Sequence, residues 1–310
     1  MSVETCPLCG HDISKEFAEA ISYPVKTSTA ETPREIRFCP ECGLGSAFPM
    51  PTKEALDQMY YNRGFWKLQD EDISIRKQPV PYAMARARWR LITSSIPHDA
   101  YQRGVRILDI GAGHGYLGDV AASDRKSVLA AYAMVEPDGR MRKGVDLRWR
   151  ELDYPCDLEL FERPSNVTGR YDLVVLSHIL EHVVDPMTFM KEALDHIISG
   201  GYVFVDVPNR DDCFKKEVFP HVLFFSPQSI RELLERLSLE VIEIDTWGKS
   251  MERSPLNDTP PQIVRIRRFI VNKIIHQVPL GLSVPLVTTH FGFFTRNQKG
   301  TWIRALARKV

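Results

Sequence analysis

Long apolar runs are missing from this 310-residue chain. Its longest, such as Val278 to Val287, are interrupted by proline and glycine and fall short of the ~20 residues that a membrane-spanning helix needs. The first residues show no basic segment followed by an apolar one, so no signal peptide is expected and the reading is a cytoplasmic protein. Internal repeats and low-complexity segments are also absent, and a hydrophobic fraction of 44% is that of a chain that buries a proper core, which excludes wholesale disorder. Acid is missing from one place only: no Asp or Glu follows Asp258, while Arg265, Arg267, Arg268, Lys273, Arg296, Lys299, Arg304, Arg308 and Lys309 do. A net charge of zero therefore hides a basic C-terminal fifth. It points to an anionic partner (a phosphate-bearing substrate, nucleic acid or a membrane surface) or to helices packing on an acidic body.

Cysteine is scarce, at six residues, and four of these stand in two like pairs, Cys6-Pro7-Leu8-Cys9-Gly10 and Cys39-Pro40-Glu41-Cys42-Gly43. Two C-x-x-C pairs at this separation supply the four soft ligands of a tetrahedral zinc site. Two disulfides are disfavoured in a reducing compartment. The glycine after each second cysteine suits a turn that needs positive φ. Four thiolates close the coordination sphere, so the expected zinc at Cys6, Cys9, Cys39 and Cys42 is structural; iron suits the same ligands. Cys156 and Cys213 have no partner at ligand spacing and read as isolated thiols.

The expected organisation is a zinc-knuckle lobe over 1–48, a helical linker or lid over 49–100 and a main domain over 101–310. In the linker, Thr52 caps a helix running to Tyr60, and the aromatics Tyr60, Tyr61, Phe65 and Trp66 form a plug between lobes or a lid. A second amphipathic helix is expected from Tyr82 to Ile96, packed beside the main sheet. From Val105 short β-rich runs alternate with helical ones, the pattern of a doubly wound parallel sheet in the α/β class.

That domain opens with the apolar run Val105 to Ile110, the turn Gly111-Ala112-Gly113-His114-Gly115 and the helical stretch Tyr116 to Ala122. Glycines let a ligand approach the backbone, and the amides opening the helix attract an anion. A dinucleotide fingerprint wants glycine at the sixth position counted from Gly111, which here is Tyr116, and Asp109 stands just before the turn. Asp-x-Gly-x-Gly-x-Gly resembles the first motif of class I S-adenosylmethionine-dependent methyltransferases. The resemblance extends over the rest of the domain. The strand Ala131 to Val135 ends on Glu136, the carboxylate that holds ribose hydroxyls in that family. Leu147 to Glu151 is expected as the third strand, with Glu151, Leu152 or Asp153 near the adenine. Tyr171 to Pro186, with Ser177-His178 and Leu180-Glu181-His182, resembles the fourth-strand motif of small-molecule members. Gly200 to Asn209 is expected as the fifth strand, Leu239 to Trp247 as the sixth and Gly300 to Lys309 as the seventh. The resemblance thus implies a Rossmann-like seven-stranded sheet with an antiparallel last strand, joined to a small zinc-ribbon-like lobe. It also implies S-adenosylmethionine bound by Asp109, Gly111, Gly113, Gly115, Glu136, Asp153 and Ser177.

In sugar-modifying relatives a histidine in the loop after the fifth strand can serve as base, which makes His221 the preferred general base here, with His178 and His182 as further candidates. The expected reaction is O-methylation of a small-molecule acceptor, a sugar or nucleotide-linked sugar, with the basic tail near its phosphate. C-methylation of a keto-sugar and RNA methylation through the knuckle are the alternatives. Residues 1–48 carry more acid than base, which speaks against nucleic acid as partner. The missing Asn/Asp-Pro-Pro-aromatic motif speaks against exocyclic amines as acceptors. Residues 250–298 exceed an ordinary loop and are expected to form helices that cover the substrate edge or mediate association; peripheral membrane contact and the oligomeric state stay open.

Overall fold

A computed structural model describes residues 4–25, 32–61, 77–97, 104–125, 128–250 and 278–310. The main sheet contains strands β4 (Val105–Ile110), β5 (Leu129–Val135), β6 (Asp157–Phe161), β7 (Tyr171–Ser177), β8 (Ile197–Pro208), β10 (Leu239–Ser250) and β11 (Gly300–Lys309). Its order is β10-β11-β8-β7-β4-β5-β6. The pairs β4 with β5 and β7, β5 with β6, and β7 with β8 are parallel, whereas β11 runs antiparallel to both its neighbours. The sequence order reverses between β4 and β7, which makes the carboxyl ends of these two strands the switch point where α/β sheets bind ligands. Ile107, Leu108, Val174 and Val175 are wholly buried, as expected of central strands covered on both faces.

Helices α1 (Lys53–Tyr61) and α2 (Pro79–Ser95) precede the sheet. The backbone N–H of Ala55 donates to Thr52 Oγ1 at 3.2 Å, so Thr52 caps α1. Phe65 and Trp66 lie outside the described residues, as do the side chains of Tyr60 and Tyr61. α2 lays Ala85, Trp89 and Ile92 on the sheet and Ala83 and Ala87 against α7 (Leu280–Phe291). Most of the expected helical insertion, residues 251–277, lies outside the described residues.

The stretch Leu147 to Glu151 is not a strand. Asp138 caps a helix by accepting from the Arg140 N–H at 2.8 Å, and that helix, α4 (Gly139–Glu151), takes in the whole segment. The alternation in Leu-Arg-Trp-Arg misleads because Arg148 is itself buried, paired with Asp119 at 2.8 Å. The third strand is β6, ten residues further on than the start expected.

The N-terminal lobe is a second sheet of four strands, β1 (Glu19–Ser22), β2 (Glu35–Phe38), β3 (Gly45–Phe48) and β9 (Leu223–Phe224). The fourth strand belongs to the loop after β8, so the lobe's sheet is completed by the main domain, through Gly45↔Phe224 and Ser46↔Leu223. Gln228 reinforces the seam by donating to the Glu41 carbonyl at 2.9 Å. Among the described residues no helix is long and apolar enough to cross a membrane.

Candidate functional site

At the end of β4 the chain turns through Gly111, Gly113 and Gly115 at φ of 73°, 55° and 64°, values that side-chain-bearing residues rarely adopt. A Cβ on Gly115 would stand 2.9 Å from Val145 Cγ2, and one on Gly111 3.0 Å from Ile179 Cδ1. A Cβ on Gly113 would meet nothing within 4 Å, so this glycine exposes bare backbone to open space. The turn is held from below and from the side. Asp109 is buried beneath it and accepts from Tyr132 Oη at 2.7 Å; burial pushes its carboxyl up to about 6. Arg148, on α4, donates to the His114 carbonyl while paired with Asp119 on α3 (Tyr116–Ser123). Arg148 is the supporting residue that the strand reading of 147–151 concealed.

Glu136 follows β5 and is nearly buried; one carboxylate oxygen accepts from the Gly113 N–H at 2.9 Å, the other from the Asp138 N–H at 3.0 Å. Desolvation raises its pKa against these hydrogen bonds. Each oxygen keeps a lone pair, so the group can still accept from two hydroxyls. Asp153 does not join it. It lies between α4 and the start of β6, at the amino edge of a parallel strand, whereas Glu136 stands at the carboxyl edge. The expectation that Asp153 contacts the adenine followed from the misplaced third strand and falls with it. The residues that do leave β6 at the carboxyl edge are Phe161, whose carbonyl accepts from the Glu136 N–H at 3.0 Å, and Glu162.

The next carboxyl end, that of β7, carries Ser177 and His178. The Ser177 hydroxyl is buried and has no hydrogen-bond partner among the described residues. His178 adopts φ of 55°, its N–H donates to the Asp206 carbonyl at 2.8 Å, and its Nδ1 stands 3.1 Å from Glu181 Oε1. Its Nε2 is buried without a hydrogen-bond partner among the described residues. Glu181 and His182 sit on a 3-10 turn. Glu181 is 1% exposed, and its histidine neighbours keep its pKa low against desolvation. Burial pushes His182 down to about 4.

His221 arrives from the loop before β9 and packs edge-on to His182, ring centroids 4.7 Å apart. Its Nδ1 is 2.8 Å from Asp211 Oδ2, and Lys215 pairs with the same carboxylate at 2.9 Å. The N-terminal lobe steadies this loop: Tyr23 Oη donates to the His221 carbonyl at 2.6 Å, and the Val218 N–H to the Pro24 carbonyl at 3.1 Å. The structure thus brings the three sequence-nominated histidines together and adds two carboxylates, Glu181 and Asp211, as their partners.

In the lobe, Cys6 and Cys42 sulfurs are 3.5 Å apart and those of Cys9 and Cys39 3.4 Å, and all four fall within 4.8 Å of one another. The two knuckles repeat one geometry: Gly10 N–H donates to Cys6 O and Gly43 N–H to Cys39 O, both at 2.9 Å, with φ of 77° and 71°. The Cys42 thiol holds Cys6 down at about 5, while burial pushes Cys9 up to about 11. Sulfurs bound to one tetrahedral zinc at about 2.3 Å stand roughly 3.8 Å apart, so the cluster has the size for such an ion.

A family profile described as "Methyltransferase domain" matches residues 80–244. An Aeromonas salmonicida protein named ubiquinone biosynthesis O-methyltransferase is 32% identical over 113 residues, covering 35% of this chain and 45% of the relative. A Vibrio parahaemolyticus protein of the same name is 24% identical over 191 residues, covering 56% of this chain and 77% of the relative. The chain therefore spans under half the length of the first of these relatives. A solved coclaurine N-methyltransferase bound to N-methylheliamine and SAH superimposes with a TM-score of 0.50 at 14% identity, covering 82% of this chain and 84% of that one. At that identity the likeness is one of fold.

Proposed function

Residues 80–244, more than half of the chain, make it a member of the methyltransferase-domain family, and from that footing we propose that it transfers the methyl group of S-adenosylmethionine to a hydroxyl of a small-molecule acceptor. The observation that carries the reading is the joined edge: a glycine turn tied to Glu136 at one strand end and a partnered histidine, His178, at the next.

The residues present fit the cofactor. Gly113 offers backbone to open space, Glu136 retains lone pairs for ribose hydroxyls, and Ser177 holds a buried hydroxyl without a partner among the described residues. Gly111, Gly113 and Gly115 would take the amino-acid end, over the support of Asp109. Bound there, S-adenosylmethionine supplies an electrophilic methyl on a sulfonium, so what the chain must add is alignment and removal of one proton. His178 is the better placed of the three histidines for that proton. It stands at the carboxyl end of β7, Glu181 orients its Nδ1, and its Nε2 is uncommitted. His221, the preferred base from the sequence, also faces a carboxylate, Asp211, at Nδ1, but it comes from the loop before β9 and its ring packs against His182. Zinc at Cys6, Cys9, Cys39 and Cys42 is structural in this reading, and holds the lobe that completes its sheet with β9.

A sugar or nucleotide-linked sugar is the proposed acceptor; the relatives named for ubiquinone biosynthesis make a phenolic hydroxyl the second class to try. The test is incubation with methyl-labelled S-adenosylmethionine and panels of both classes. Label should enter a hydroxyl-bearing acceptor, and His178→Ala should lower kcat by about 100-fold or more with cofactor affinity kept. Label in no acceptor of either panel, or an unchanged kcat in His178→Ala, would count against the reading.

A further inference from the structure

We propose that Glu181, His182 and His221 form a second metal site, for a divalent first-row transition ion, beside the acceptor end of the sheet. One ligand atom from each lies within 4.8 Å of the other two. The three come from two segments fixed to each other, since the Val222 N–H donates to the Glu181 carbonyl at 2.8 Å. His182 Nε2 stands 3.9 Å from Glu181 Oε1, too long for a hydrogen bond. Two donors sharing a tetrahedral ion at bond lengths near 2.1 Å are about 3.4 Å apart, so even the oxygen that faces His178 stands near ligand spacing from His182.

The surroundings are those a metal requires. A ligating imidazole gives one nitrogen to the ion and holds the other on an oxygen acceptor. Here His221 Nδ1 faces Asp211 Oδ2 at 2.8 Å, a contact that a small turn of the ring would align into a hydrogen bond while Nε2 meets an ion, and His182 is hydrogen-bonded to the Pro220 backbone. Glu181 supplies the independent sign. It is 1% exposed, His178 occupies one oxygen at 3.1 Å, and the other, Oε2, is buried with no hydrogen-bond partner among the described residues. A buried carboxylate with an orphaned oxygen is costly, and a cation removes that cost.

Two imidazoles and a carboxylate suit zinc, iron(II), cobalt or manganese and leave coordination positions open, unlike the closed set of four thiolates. An open position takes an oxygen donor, and for the acceptor's hydroxyl to be that donor the methyl-transfer reading must hold; the ion site itself does not depend on it. His178 stays outside the ligand set and shares with it only Glu181, through Oε1.

The full-length protein, freed of metal and titrated with cobalt(II), tests this. Two equivalents per chain are expected, one with strong near-ultraviolet thiolate-to-cobalt absorption and one with weak visible bands only. His182→Ala and Glu181→Gln should each lose the second equivalent and keep the first, and both should still bind S-adenosylmethionine, which shows that they fold. A single, thiolate-type equivalent in the wild type overturns the proposal, as does a second equivalent that survives in both variants. Wild-type protein that takes two cobalt ions but no S-adenosylmethionine would instead sink the methyltransferase reading and leave this one standing.

Discussion

Gly113 separates ligand contact from fold more cleanly than any other residue of the turn. Alanine there must adopt φ of 55°, which costs about 1–2 kcal/mol, but its Cβ collides with nothing in the protein. Gly113→Ala is therefore expected to lose about that much stability while its affinity for S-adenosylmethionine falls by tenfold or more, measured by denaturant unfolding and calorimetry side by side. An unchanged affinity would mean that the ligand does not lie on Gly113. Asp109 has its own signature in pH. Its folded pKa is raised from 3.8 to about 6, so the folded state holds the proton more tightly; that contribution is full below about 3.8 and is lost as pH rises through 6. Asp109→Asn keeps an acceptor for Tyr132 and carries no such penalty. Relative to wild type it should gain about 2 kcal/mol between pH 4 and pH 8, read from urea unfolding at each pH. Equal shifts at both pH values would show that Asp109 titrates normally.

At this scale the sequence was most informative where chemistry is local. The turn, Glu136 and the cysteine pairs each declare themselves within a few residues. Asp211 and Glu181 did not, because their meaning comes from His221 and His178, which only the fold brings to them. The expected place of Asp153 at the adenine fails because alternation in Leu-Arg-Trp-Arg imitates a strand when an arginine is buried by pairing.

Between elements, the knuckle lobe and the His221 loop form one unit. Ala47 N–H donates to the Val222 carbonyl at 2.8 Å, β3 pairs with β9, and Tyr23 holds the His221 carbonyl. Stripping metal from the four cysteines should thus raise amide exchange at Val222 and Phe224 while Leu108 and Ala133, in the paired β4 and β5, stay protected. Protection unchanged at Val222 would show that the lobe does not steady the loop. Across the sheet, Asp206 is wholly buried between Arg88 at 2.7 Å and Arg304 at 3.3 Å, a triad that pins α2 to β8 and β11. Asp206→Ala leaves two cations without their counter-charge and should cost about 3–5 kcal/mol in denaturant unfolding. A loss under 1 kcal/mol would mean that water reaches the arginines. The doubly wound parallel sheet was legible from the alternation of elements and the antiparallel last strand from the resemblance. The sharing of β9 between two sheets was not, since two residues carry no periodicity.

Over the whole molecule, part of the basic C-terminal fifth is neutralised from within. Arg296 pairs with Glu243 and Asp245, Arg304 with Asp206 and Arg308 with Glu240, so acid from β8 and β10 answers the tail that has none. Arg265, Arg267, Arg268 and Lys273 lie outside the described residues. The asymmetry read from the sequence is thus in part an internal arrangement, and this weakens its value as a pointer to nucleic acid. What remains central is the cofactor. Calorimetric titration of the zinc-loaded protein with S-adenosylmethionine and S-adenosylhomocysteine, beside the same titration of Glu136→Ala, tests it most directly. The account predicts one site per chain for either ligand in the wild type and an affinity at least tenfold lower in the variant. No heat of binding from an intact, folded wild-type protein would contradict it.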